Sequence, residues 1–322
     1  MTHQHLPYPI VEVDPETAIA LEHTGAKRKY WFRPPTGPKG QSLFKADERI
    51  AGKRVEQGTG EDWAEKVACE VCEALGVPHV HYELAIEKGS QIHGVLCHNI
   101  AQNPPELLLG NVLLSSTVQG YPRVPAKKHR THQHTVAAVV SVLNDLEMPP
   151  DHFCDNLPLG VDTALDVFIG YTMLDALVAN QDRHHENWGG LRYPTRDCLA
   201  PTFDHGSALA RNEPDQKRER RLDKVDPRAT VESFAEKAKS AFYVVDSTHS
   251  PLCTLQAFRH FAAKSPNAAI AWQNRLESLT IGVVESIVDQ IPACRMSPIA
   301  RRFTIELVRI NRQRILETSF EQ

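Results

Sequence analysis

Residues 161–179 are apolar on nearly every helical face, with Leu165, Val167, Phe168, Ile169, Leu174, Leu177 and Val178 among them. A helix that is apolar all round must be buried all round. The chain therefore needs a body thick enough to surround this segment. Asn180 ends the apolar stretch, and the polar run from Asp182 to Asn187 emerges directly from its C-terminus. A polar loop held on a rigid buried element suits a functional site. At 322 residues the chain has room for two lobes, each with its own core.

The first hundred residues read differently from the rest. Residues 29–33 and 42–46 are short strands, and the Pro- and Gly-rich stretch 34–40 between them is turn chemistry. Trp63, Val67, Val71 and Leu75 recur every four residues, which predicts a helix over 61–75 with Gly76 as its stop and Pro78 beyond. Residues 80–86 and 91–97 read as two strands around the turn at Lys88 and Gly89. Past Asn103, Pro104 and Pro105, which read as a linker, helical patterns dominate at 135–146, 161–179, 231–241, 252–263, 270–289 and 298–318. Residues 215–228 read as a charged loop, with the run 216–221 as a solvated face and a substrate-docking patch as the sharper alternative. The expectation is an α+β, bilobal chain: residues 1–100 a small mixed α/β lobe, residues 101–322 a mostly helical one.

Composition narrows the function classes. A net charge of −4 and a pI near 6.5 argue against a general electrostatic nucleic-acid binder. No apolar run reaches the roughly 18 residues that span a membrane, and residues 1–9 lack the basic and apolar regions of a secretory signal. Seven scattered cysteines read as free thiols in a reducing cytoplasm. Cys69 and Cys72 form a CxxC within a helical pattern, where buried thiols are a better reading than a zinc site. Five of the sixteen histidines cluster in polar surroundings (His3, His5, His129, His132, His134), and a solvated loop is preferred to a metal site for the group at 129–134.

The chemistry-bearing pattern is Asp182, then Asn187 five residues on, then Asp204 and Gly206 across an apparent hairpin at 191–193 and 198–203. Phosphoryl transfer from a magnesium nucleotide needs these parts: one carboxylate to orient the attacking hydroxyl, and an amide and a second carboxylate for the metal. Asp182 is the candidate orienter or base. Asn187 and Asp204 are the candidate metal ligands, the metal being needed because triphosphate charge otherwise repels the nucleophile. His184 lies between them within reach of a phosphate. Lys45 closes the second small-lobe strand and is the candidate phosphate-binding lysine. Glu65 is the helix carboxylate that turns toward it, while Glu61 reads as a helix-start charge and Glu70 as solvent-facing. For the phosphate-covering loop, Thr24, Gly25, Ala26, Lys27, Arg28 and Lys29 are preferred to residues 36–40, whose prolines remove backbone donors.

The combination resembles bacterial HipA-like serine/threonine kinases. The likeness is carried by Lys45, residues 60–68, 74–78 and 82–85, the runs 180–188 and 200–207, and Met296, Ser297, Asn311 and Arg312. It extends over residues 22–315. It implies a bilobal, protein-kinase-like fold distantly similar to phosphatidylinositol 3/4-kinases. It also implies Asp182 as the catalytic aspartate, Asn187 and Asp204 as Mg2+ ligands, Lys45 as the ATP lysine, Thr24 to Lys29 as the phosphate loop and His184 beside the nucleotide. The adenine hinge falls at Cys97, His98 and Asn99. Two departures stand out. Only about twenty residues precede the phosphate loop, whereas toxin-type members carry an extra N-terminal subdomain that contacts an antitoxin, so an antitoxin partner and the tRNA-synthetase substrate of that type are not carried over. Near Glu22 those kinases have a regulatory serine, and an acidic residue cannot be switched by phosphorylation.

The reading is an ATP- and Mg-dependent, cytoplasmic kinase of protein Ser/Thr hydroxyls, possible autophosphorylation included. A kinase of a lipid or other small molecule uses the same parts. A nucleotide-binding pseudokinase acting as an interaction module is the rival from another class. A metal hydrolase on His184 and His185 is disfavoured, because adjacent histidines on one loop point apart.

Overall fold

The computed structural model describes residues 6–21, 27–33, 40–51, 54–101, 104–122, 131–245 and 250–320. The small lobe is built on a six-stranded sheet. Its strands are β1 (Ile10–Val13), β2 (Ala20–Leu21), β3 (Lys29–Phe32) and β4 (Ser42–Ala46), followed after a separate hairpin of β5 (Glu48–Ala51) and β6 (Arg54–Gln57) by helix α1 (Glu61–Leu75), β7 (Tyr82–Glu87) and β8 (His93–His98). The spatial order is β1-β7-β8-β4-β3-β2, with β1 parallel to β7 and the other pairs antiparallel. Alternation along β3 and β4 buries Tyr30, Phe32, Phe44 and Ala46 on one face with Leu96 and Ile92. Lys45 therefore points to the opposite face, toward α1.

Helix α1 follows its sequence period: Trp63, Val67, Val71 and Leu75 are all buried. Gly76 ends it at φ +68°, its amide donating to the Cys72 and Glu73 carbonyls. A Cβ there would lie 2.2 Å from the Asn156 carbonyl oxygen, so the position needs glycine for conformation and for space. Glu70, expected in solvent, is half-buried against Lys66 at 2.5 Å.

The large lobe comprises β9 (Glu106–Leu109), α2 (Gly110–Thr117), α3 (Val136–Leu143), α4 (Ala164–Val178), β10 (Gly189–Arg192), β11 (Asp197–Leu199), α5 (Asp215–Leu222), α6 (Val231–Lys237), α7 (Thr254–Ala262), α8 (Pro266–Ser278), α9 (Ile281–Asp289) and α10 (Pro298–Leu316). Helix α4 is the all-round apolar segment, and every residue from Asp166 to Val178 is buried. It is surrounded by α7, α8 and α10. Thr163 caps its start in a reciprocal capping box with Asp166. Phe168 anchors the aromatic centre, with ring centroids 5.3 Å from Phe261 and 5.4 Å from Trp188; truncating so buried a ring costs about 3–5 kcal/mol. Gly170 lets α8 approach, because a Cβ would meet the Trp272 ring at 2.5 Å.

Several local expectations give way. The charged segment 215–228 opens with helix α5, started by Pro214 and tied down by Arg218, which pairs with Asp215 at 2.6 Å and donates to the Ala210 and Arg211 carbonyls. Residues 270–289 divide into α8 and α9, because Leu279 leaves helical geometry and Thr280 caps a new helix through the Val283 amide. His134 is no solvated loop residue. It is buried, with Nε2 accepting from Trp188 Nε1 at 3.1 Å and Nδ1 donating to the Ala241 carbonyl at 3.0 Å. His129 lies outside the described residues. The seven cysteines are free thiols. Among the described residues no helix is long and apolar enough to cross a membrane.

Candidate active site

The C-terminus of α4 sets the polar loop. Ala179 adopts a left-handed backbone, φ 51°, and turns the chain sharply out of the helix. Asp175, a carboxylate in the buried helix, grips that loop: its oxygens accept from Arg183 Nε and Nη2, both at 2.7 Å, and from Asn180 Nδ2 at 2.8 Å. Arg183 is itself buried and spends its remaining donor on the Asn187 carbonyl (3.1 Å) and Thr202 Oγ1 (2.7 Å). One guanidinium thus joins the loop carrying Asp182 and Asn187 to the segment that leads into Asp204.

Within the loop, Asn187 Nδ2 donates to the Asp182 carbonyl at 2.7 Å. That bond fixes the amide through its nitrogen, so its oxygen is the atom that could ligate a metal. His184 Nδ1 accepts the Glu186 amide at 3.1 Å, so its proton sits on Nε2, 3.7 Å from Asp182 Oδ1. Ser207 Oγ donates to Asp182 Oδ2 at 3.4 Å, bringing the segment after Asp204 against the same carboxylate.

Across the cleft, β4 delivers Lys45. Its Nζ lies 2.8 Å from Asp204 Oδ1 and 3.4 Å from Glu65 Oε1 of α1. Glu65 Oε2 accepts the His205 amide at 2.8 Å, and the Asp204 amide donates to Tyr82 Oη at 3.2 Å. Asp204 holds a left-handed φ of 60°, a conformation aspartate tolerates better than most side chains. The protein crowding round Asp204 opposes its charge although the side chain keeps 38% of its surface exposed, yet Lys45, with Lys29 and Lys27 behind it, holds its carboxyl well below the usual range. Burial likewise opposes the Lys45 charge, and Asp204, Tyr82 and Glu65 together raise it well above the ordinary lysine value. Glu65, dry and beside Asp204, is pushed up despite Lys45.

The expected phosphate loop divides. Thr24, Gly25 and Ala26 lie outside the described residues, as does Glu22. Lys27 pairs with Glu61 of α1, which also binds Arg211; burial and Arg211 lower Lys27 to about 8. Lys29 lies opposite Lys45 in the β3–β4 register and contributes positive charge at Asp204. Arg28 is not brought into this group: it pairs with Glu87 at 2.7 Å and its amide binds Glu48. At the expected hinge, Cys97 is buried with Val95, Val80 and Tyr82, and Leu43, Ile100 and Phe203 pack at the rim of the same cluster. His98 Nδ1 and Ser42 Oγ lie 3.1 Å apart, and Asn99 is tied to Gln41 through backbone and side chain. Burial raises the Cys97 thiol to about 12, so it serves as a small apolar wall. A cavity of about 690 Å³ between α3, α4 and β11 contains none of these residues; the charged constellation, not that cavity, is where chemistry is concentrated.

No protein-family model and no curated protein matches the sequence. The likeness is three-dimensional. The Helicobacter pylori proinflammatory kinase CtkA is similar with a TM-score of 0.65 at 16% identity, over 96% of this chain and 99% of that one. HipA of Shewanella oneidensis MR-1, solved with HipB and operator DNA, is similar with a TM-score of 0.52 at 9% identity, over 94% of this chain and 66% of that one. The chain has the HipA-like kinase fold.

Within the HipA-like fold, five supporting residues escaped the sequence reading: Asp175, Arg183, Thr202, His205 and Tyr82. His205 Nε2 meets Thr202 Oγ1 at 2.9 Å, and burial together with Arg183 drives its pKa far down, so the ring stays neutral. One signal was available. An aspartate deep in a largely apolar buried helix, away from its cap, requires a partner, and Asp175 with Arg183 eight residues on satisfies that requirement.

Proposed function

We propose that the chain is an ATP- and Mg2+-dependent kinase acting on protein serine or threonine hydroxyls. The observation that carries the reading is the double contact of Lys45 with Glu65 and Asp204, facing the Asp182–Asn187 loop across one cleft. The fold likeness to two proteins named as a kinase and a toxin of the HipA type supports it. Lobes of residues 1–100 and 101–322 fit this division of labour, the first for nucleotide and the second for catalysis.

The donor set fits magnesium: the Asp204 carboxylate and the Asn187 amide oxygen are hard oxygen ligands, and the Asp204 side chain keeps 38% of its surface exposed. When bound there, Mg2+ neutralises charge on the phosphates being transferred. The protein's own groups do the rest. Lys45 holds the nucleotide's phosphates, leaving part of its contact with Asp204 to do so. Asp182 orients the acceptor hydroxyl and takes up its proton as the new O–P bond forms and the bond from the γ-phosphorus to the β,γ-bridging oxygen breaks, ADP leaving with that electron pair. His184 Nε2–H lies beside that carboxylate and is positioned to steady a phosphate oxygen. Leu43, Cys97, Ile100 and Phe203 offer the apolar slot for adenine, with the backbone at 97–99 as its hinge. Lys27 and Lys29 supply the positive charge of the phosphate loop.

Autophosphorylation and the acceptor class are tested together. Labelled ATP is incubated with the protein alone and with host extract, and label is partitioned between protein, lipid and small solutes. Phosphoserine or phosphothreonine formed by the wild type and absent with Asp182→Ala is expected. Label found only in lipid or small solutes overturns the protein-kinase reading.

A further inference from the structure

Away from the nucleotide cleft, four side chains with metal-ligand chemistry converge at the C-terminal end of α1. Cys69 and Glu73 are four residues apart on one face of that helix. His79 and His81 are two residues apart on the extended segment entering β7, so they project from the same side. The ligand atoms of Cys69, His79 and His81 all lie within 4.8 Å of one another. Cys69 Sγ is 3.8 Å from His81 Nδ1, and His79 Nε2 is 3.9 Å from Glu73 Oε2.

The separations suit a particular ion. With metal–sulfur and metal–nitrogen bonds of about 2.3 and 2.0 Å, tetrahedral geometry puts sulfur and nitrogen roughly 3.5 Å apart. Cys69 and His81 are within a few tenths of an ångström of that separation, and His79 lies within 4.8 Å of both, so side-chain adjustment of about an ångström closes the set. The groups that orient these ligands are already in place. His79 Nδ1 donates to the Val77 carbonyl at 2.8 Å, which fixes the tautomer and leaves Nε2 bare toward the cluster. Burial raises the Cys69 thiol to about 12 in the absence of an ion, and the Tyr82 amide, which donates to Sγ at 3.3 Å, works against that rise. Lys66 is the opposing charge nearby. It is neutralised by Glu70 at 2.5 Å and directed to the Tyr82 carbonyl at 3.0 Å.

We propose that Cys69, His79 and His81 form a site for a borderline divalent metal of the zinc class, with Glu73 or water as fourth ligand. Thiolate and imidazole select such an ion over magnesium. On binding, the Cys69 S–H bond breaks, its proton leaves to solvent, and a metal–sulfur bond forms with no change of oxidation state. The pairing is not the CxxC of the sequence, since Cys72 is packed in the main core. The site would staple α1 to the segment that binds the Asp204 strand, where the Val80 and Thr202 amides donate to the Thr202 and Pro78 carbonyls, each at 2.9 Å. It is independent of the kinase reading.

The test is titration of the metal-stripped full-length protein with cobalt(II), followed by displacement with zinc. One equivalent should give a thiolate-to-cobalt charge-transfer band and intense tetrahedral d–d bands, both erased by zinc. Cys69→Ser should abolish the charge-transfer band. His79→Ala and His81→Ala should each weaken binding at least about tenfold. His81 is exposed, so His81→Ala remains decisive if Cys69→Ser does not fold. Cys294→Ser, which alters an exposed thiol, should change nothing. No band at one equivalent, a band that survives Cys69→Ser or disappears in Cys294→Ser, or unchanged affinity in His81→Ala overturns the proposal.

Discussion

Replacing Arg183 with methionine isolates the ion pair that organises the site. Arg183 and Asp175 are 1% and 3% exposed, and the pair is bidentate at 2.7 Å. Removing one member of a buried pair leaves an uncompensated charge, at a cost of about 3–5 kcal/mol. The Asn187 carbonyl and Thr202 hydroxyl lose a donor as well, which puts the expected loss near the top of that range. Against a typical stability of about 5–15 kcal/mol, this is a large fraction. The control is the double variant Arg183→Met with Asp175→Leu, which removes both charges and should recover about half of the loss, because an apolar pair of similar volume is tolerated where a lone charge is not. Urea unfolding followed by tryptophan fluorescence reads both. A loss under about 1 kcal/mol for Arg183→Met, or strict additivity of the two single variants, refutes the assigned role.

Two further outcomes follow from other positions. Burial lowers the His134 pKa to about 3, below its ordinary value of about 6.5. The unfolded chain then binds the extra proton, so this contribution to stability is complete above pH 6.5 and falls by about 1.4 kcal/mol per unit as pH drops toward 3. Urea midpoints at pH 5 and 7 should differ less in His134→Gln than in the wild type, and an unchanged difference contradicts the assignment. Gly76→Ala should lower stability by at least about 1 kcal/mol through the left-handed backbone alone, with the 2.2 Å contact to Asn156 adding to it; a variant melting at the wild-type temperature would show that the helix end is not as described.

The parts of this molecule visible in its sequence are those whose physics is local. The spacing of Trp63, Val67, Val71 and Leu75 with Gly76 behind them defines α1, because period and cap are both local. The largely apolar run at 164–178 defines α4 for the same reason. Lys45, Glu65 and Asp204 are far apart in sequence, and the structure places both carboxylates within 3.4 Å of Lys45 Nζ because the strand alternation of β4 and the face of α1 both point into one cleft. What was hidden depends on contacts distant in sequence. Strand β1 is four residues long and earns its place only by pairing parallel to β7. Helix α5 is almost wholly polar, so periodicity is silent, and its stability comes from Arg218 reaching back to carbonyls of the preceding turn. The break between α8 and α9 rests on a threonine cap, a signal masked by apolar residues on both sides. The Cys69, His79 and His81 cluster required knowing that the strand entering β7 doubles back along α1.

The most direct measurement is γ-phosphate transfer from saturating Mg-ATP, wild type against Asp182→Ala and Asp204→Ala, with each variant shown folded by its unfolding midpoint. If Asp182 orients the hydroxyl and Asp204 holds the metal, each variant should lose at least about two orders of magnitude in rate. Asp204→Ala should also lose its dependence on Mg2+ concentration. Transfer at the wild-type rate by either variant would contradict the account.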